Sequence, residues 1–123
     1  MTRILRAALL LATALTGAAC KQTQHAGGIP VEASGNPILA DGRYYSADPA
    51  PLVLDGKLWI LAGRDEAPSD VNDFIMNEWQ LLATDDPASG KWLHYPGIIR
   101  PENIFKWASA GRAYAGQIVR GVD

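Results

Sequence analysis

One cysteine and two histidines stand in 123 residues, and each shortage closes off a class of chemistry. A single thiol cannot form an intramolecular disulfide, so no disulfide framework holds this chain together. His25 and His94 lie far apart, with no cysteine or carboxylate at ligand spacing beside either, so the sequence offers no transition-metal motif. Basic charge is also in short supply: 11 Lys and Arg stand against 13 Asp and Glu. Without a basic stripe to meet phosphates, nucleic acid is not an expected partner. Gly27-Gly28 has no strand before it and no helix after it, so there is no phosphate-cradling loop. Nor does any Ser-His-Asp pattern suggest acyl transfer.

Long apolar runs are absent except near the start. Arg3 and Arg6 precede the apolar residues 7–15, followed by Thr16-Gly17-Ala18-Ala19 and then Cys20. A positive segment, a short apolar stretch and small residues at a cleavage point read as an export signal over residues 1–19. The run is too short to span a membrane. The lone Cys20 falls at the first position after cleavage, where a bacterial lipoprotein carries its lipid. That predicts a chain anchored to a membrane outside the cytoplasm, periplasmic or at the cell surface. A plain secretory signal with an incidental cysteine is the alternative, and Gly17 stands where a lipoprotein signal usually has a larger aliphatic residue. Residues 20–35, polar and Gly-rich, read as the anchor cysteine and a flexible linker.

What remains is patterned for strands. Residues 50–54 and 57–63 flank Asp55-Gly56, a dipeptide suited to a two-residue hairpin turn with positive φ. Residues 57–63 are apolar on both faces, as expected of a strand buried on both sides. Residues 64–75 form a polar loop. Residues 78–84 make a third strand with Trp79, Leu81 and Ala83 on one face, and Asp85-Asp86-Pro87-Ala88-Ser89-Gly90 turns into a fourth over residues 92–95. Four consecutive antiparallel strands in this span have the size of one β-propeller blade. Residues 100–112 then connect to a further apolar strand expected over residues 114–119, the start of a second blade.

Asp48 is the most telling polar residue. Pro49 and Pro51 stiffen the backbone around it, and Pro49 biases it towards an extended conformation. A carboxylate on stiff backbone at the mouth of a sheet suits acid–base chemistry, while a turn-capping Asp is the plain alternative.

Over residues 36–123 the sequence resembles glycoside hydrolase family 43. The pieces are N-P-I-L from Asn36, A-D-P-A-P from Ala47, D-G-K-L-W from Asp55 and G-R-D-E from Gly63. They continue with F-I-M-N-E-W from Phe74, T-D-D from Thr84 ahead of Trp92, F-K-W-A from Phe105 and A-Y-A-G-Q-I-V from Ala113. Related sequences carry His where this one has Arg64 and Trp where it has Tyr114, which bears on the choice of sugar. The resemblance implies a five-bladed β-propeller, of which this chain supplies the first blade and the start of the second. It implies an inverting glycosidase acting on hemicellulose, as an arabinofuranosidase or xylosidase does, with an oligo- or polysaccharide as partner. Asp48 would be the general base. The acid Glu and a tuning Asp would lie in later blades outside these residues, so the 123-residue chain alone is expected to be inactive. An inverting pair sits roughly 6.5–9.5 Å apart, leaving room for water.

Substrate contacts are expected from Asp65, Trp107, Tyr114 and Gln117. Asp65-Glu66 could equally be a loop with an ion pair to Arg64, and Trp107 and Tyr114 could equally pack between blades, the role expected of Trp59, Trp79 and Trp92. No cofactor is implied; some relatives hold calcium in the propeller channel, and nothing here diagnoses one. Two rival readings stay open: a non-catalytic carbohydrate-binding propeller and a short interaction lipoprotein.

Overall fold

The computed structural model describes residues 27–122. The export signal, Cys20 and His25 lie outside the described residues. Five strands form one antiparallel sheet: β1 (Ile29–Glu32), β2 (Tyr45–Leu54), β3 (Lys57–Asp65), β4 (Met76–Thr84) and β5 (Lys91–Ile99). Their spatial order is β1-β5-β4-β3-β2, so β2 to β5 form a sequential meander and β1 adds to its far edge. Among the described residues the protein is all-β, with a 3-10 turn (Pro87–Ser89) between β4 and β5 and one α-helical turn, α1 (Pro101–Ile104), after the sheet.

Local chemistry accounts for the meander. Asp55 and Gly56 adopt φ values of 52° and 75°, the pair of left-handed residues that a twist-matched hairpin requires. Between β4 and β5, the Asp86 carboxylate accepts from Ala88 N–H at 2.9 Å, and Gly90 closes the turn at φ 70°. The expected two-sided burial of residues 57–63 holds in part: Leu61 and Ala62, on opposite faces, are buried, whereas residues 57–60 are half-buried.

Three expectations need correction. Residues 29–32, assigned to the linker, pair with β5, Ile29 opposite His94 and Glu32 opposite Lys91. Alternating Ile29 and Val31 let a short segment join an edge that β5 leaves open, and Ala33 N–H extends the attachment to the Gly90 carbonyl at 2.8 Å. Second, the strand expected over residues 114–119 is not formed; the segment is irregular. Its tie is instead at Ala113, wholly buried, whose N–H donates to the Met76 carbonyl at 2.8 Å. Third, Asp48 is not extended: its φ is 51°.

That last departure has a cause in the sheet. The β2–β3 register slips between Ala47 and Ala50, so Asp48 and Pro49 form a bulge. The other central ladders slip nearby, β3–β4 between Gly63 and Asp65 and β4–β5 between Trp79 and Leu81. Ala47, Gly63, Trp79 and Ile99 are partners in one row across the sheet. All three irregularities therefore gather at the same end, and the polar chemistry gathers there too.

Candidate functional site

At the irregular end, Glu78 is buried with 1% of its surface exposed. Arg64 donates to one of its carboxylate oxygens at 2.9 Å and Arg100 to the other at 2.8 Å. Arg64 also lies 3.1 Å from Glu66, which accepts from the Asn77 amide at 2.6 Å. A buried carboxylate is tolerable only when opposite charge and hydrogen bonds offset its lost hydration, and two guanidinium groups do so here. Gly97, at φ 67° in the β5 irregularity, lets that strand pass close to Glu78; a Cβ there would stand 3.3 Å from the carboxylate.

A second polar chain adjoins the first. The Gln80 side chain is wholly buried, and its amide nitrogen lies 3.1 Å from the Tyr45 carbonyl and 3.0 Å from Ser46 Oγ. The nitrogen donates, so the amide oxygen faces His94 Nε2 at 2.7 Å and requires that nitrogen to carry a proton. Burial holds the His94 pKa below its ordinary value. Tyr44 links the two chains: its ring meets His94 edge-on at 4.8 Å, and the Arg64 guanidinium sits 4.5 Å above it.

Asp48 stands apart from this network. It is exposed on the edge strand, and among the described residues no hydrogen bond or ion pair engages its carboxylate. Ala47, its neighbour, is close to the C-terminal segment, because the space beside Gly63 is shared by the Ala47 and Ala113 carbonyls. Asp65 serves the loop instead, accepting from Ala67 N–H at 2.9 Å and lying 3.4 Å from Ile75 N. Tyr114 is half exposed, and its carbonyl accepts from Trp79 Nε1 at 2.7 Å. Gln117 is exposed, and among the described residues its side chain makes only a local 3.4 Å contact with the Ile118 carbonyl.

Trp107 belongs to a groove of about 480 Å³ beside the sheet, lined by Trp79, Pro101, Phe105, Trp107 and residues 108–112. Trp107 is 83% exposed and stacks on Phe105, with centroids 5.2 Å apart and planes 24° from parallel. Asp48, Asp65, Tyr114 and Gln117 are not among the groove's lining residues. Of the other tryptophans, Trp92 is buried and Trp59 and Trp79 are half-buried within this sheet.

Sequence reasoning missed Glu78, Gln80, His94 and Arg100 as one system. The signal that could have found them is the Glu78-x-Gln80 alternation in a strand whose other face carries Trp79 and Leu81. Among the described residues, no cluster of three or more His, Cys, Asp or Glu could hold a metal ion. No family model matches the chain, and no curated protein matches it either.

Proposed function

We propose that this chain is the N-terminal portion of an exported inverting glycosidase of the family 43 type, acting on hemicellulose as an arabinofuranosidase or xylosidase does. The sheet would be the first blade of a five-bladed propeller, and β2 its inner strand. One observation carries the reading: Asp48 is an exposed carboxylate held at φ 51° in a bulge, with no hydrogen-bond or ion-pair partner among the described residues, on a strand that is a sheet edge among them. Bulges re-aim side chains, and a non-Gly residue at positive φ on an edge strand is a conformation that function can explain. Pro49 and Pro51 stiffen the strand at that point, and a general base gains from such fixed placement.

In this role Asp48 takes a proton from water as the water attacks the anomeric carbon on the face opposite the leaving group. The acid Glu and tuning Asp come from later blades. Cys20, lipidated after removal of residues 1–19, would anchor the protein to a membrane away from the cytoplasm.

The test is Asp48→Asn in the full-length protein, assayed on arabinoxylan fragments. Asn keeps the shape but cannot accept the proton, so hydrolysis falls by about 10²–10⁴-fold while binding survives. Turnover near that of the unmodified protein removes Asp48 from the reaction.

A further inference from the structure

The groove beside Trp79 holds two features that the general-base reading leaves unused. Its stacked Phe105 and Trp107 present a broad aromatic face to solvent, the surface on which the apolar face of a sugar ring packs. Its volume of about 480 Å³ falls within the range of ligand sites. The charge of the groove is lopsided. Among the described residues, Arg112 is the one charged residue in its lining, and no Asp or Glu lines it. The ion pairs among the described residues engage Arg43, Lys57, Arg64 and Arg100, and Arg112 is in none of them.

Arg112 also has φ 61°, a strained conformation for a long side chain. Its surroundings impose the strain. The next residue, Ala113, is wholly buried and bonded to Met76, and Gly111 before it packs near the Asn77 side-chain oxygen. The backbone after Arg112 is therefore tied to the sheet, and the backbone before it passes beside β4. The Arg112 side chain, exposed and lining the groove beside an aromatic platform, can reach a carboxylate through charge-assisted, bidentate hydrogen bonds.

We propose that this groove binds a saccharide that bears a carboxylate, a uronate-substituted oligosaccharide, with one ring stacked on Trp107 and its acid group on Arg112. The proposal rests on the carbohydrate reading for its ligand class, and it is independent of Asp48 and of hydrolysis.

Calorimetric titration of the full chain decides it, using a neutral xylo-oligosaccharide and the same oligosaccharide carrying one glucuronic acid branch. The acidic ligand binds about tenfold more tightly at low salt, and the advantage shrinks as salt rises. Arg112→Gln removes the advantage, Arg112→Lys retains part of it, and Trp107→Ala weakens both ligands. Circular dichroism verifies that each variant keeps its fold. Should Arg112→Gln unfold, the indole N–H signal of Trp107 in the unmodified chain serves instead, shifting with the acidic ligand more than with the neutral one.

Equal affinity for the two ligands overturns the proposal while leaving a neutral-sugar site intact. A preference that survives Arg112→Gln overturns it as well. If neither ligand binds, the groove is not a saccharide site, and the Asp48→Asn assay still judges the glycosidase reading by itself.

Discussion

His94 Nε2 lies 2.7 Å from Gln80 Oε1, two buried side chains on adjacent strands locked in one orientation by what lies behind them. A turned Gln80 amide would set its oxygen against the Tyr45 carbonyl, which can only accept, so His94 must present a donor. The imidazole can still gain a second proton, and burial opposes that gain.

A pH dependence of stability follows. Burial is the largest influence on His94 and lowers its pKa; Asp41 and Glu78 raise it, and Arg64 and Arg43 lower it. The unfolded chain then binds the proton more readily than the folded one. His94 therefore contributes full stability above its ordinary pKa of about 6.5, and that contribution is lost as pH falls through and below this value. Urea unfolding between pH 7.5 and pH 5 shows a declining midpoint, and His94→Gln flattens the decline. An unchanged slope in that variant assigns the effect to other groups.

Replacing Glu78 tests the ion-pair cluster. Glu78→Gln leaves two guanidinium groups facing a neutral amide, and because Arg64 and Arg100 keep partial contact with solvent the cost is about 1–2 kcal/mol, below that of a fully buried pair. Glu66 still compensates Arg64, whereas Arg100 loses its only ion-pair partner among the described residues. The double variant Glu78→Gln, Arg100→Gln recovers part of the loss in a denaturant-unfolding cycle. Strict additivity of the two changes would show that the residues are not coupled.

Asp48 offers a separation of stability from activity. At φ 51° glycine adopts the backbone freely, whereas a β-branched side chain does not. Asp48→Gly stays within about 1 kcal/mol of the unmodified chain, because relief of strain offsets the added freedom of the unfolded state. Asp48→Val loses about 1–2 kcal/mol. Thermal melts of the two variants give the comparison, and similar destabilisation by both contradicts the bulge conformation.

The C-terminal segment can be lifted from the sheet by one substitution. A Cβ at Gly116 would stand 3.0 Å from Trp79 Nε1 and 3.1 Å from a Leu61 methyl. Gly116→Val displaces the segment, breaks the bond from Trp79 to the Tyr114 carbonyl, and exposes the indole. Tryptophan emission shifts to longer wavelength and quenching by acrylamide rises. Unaltered emission means that the segment does not cover Trp79.

Lipid attachment at Cys20 is tested by labelling cells with a clickable fatty acid. The unmodified protein takes up label and Cys20→Ala does not. Equal labelling of both, or of neither, removes the anchor.

Much of the meander was legible in the chain. Asp55-Gly56 and the turn before Gly90 act through backbone conformations that a few local residues favour, a short run apolar on both faces marks β3, and apolar alternation marks β4. These signals are short-range, so they survive without knowledge of the fold. Other features depend on partners distant in sequence. Glu78 and Gln80 alternate with Trp79 and Leu81 as a solvent-facing row would, yet they are buried because Arg100, His94, Tyr45 and Ser46 converge on them. Asp48 carries two nearby prolines that favour extended backbone, and the slip of β2 against β3 overrode that bias. Residues 29–32 became a strand only because β5 offered an open edge, and residues 114–119, equally apolar, formed none. The sequence by itself determined where strands could form and where the chain could turn. Only the tertiary structure decided which polar residues left water, because burying a charge requires opposite charges and hydrogen-bonding groups that no local segment contains.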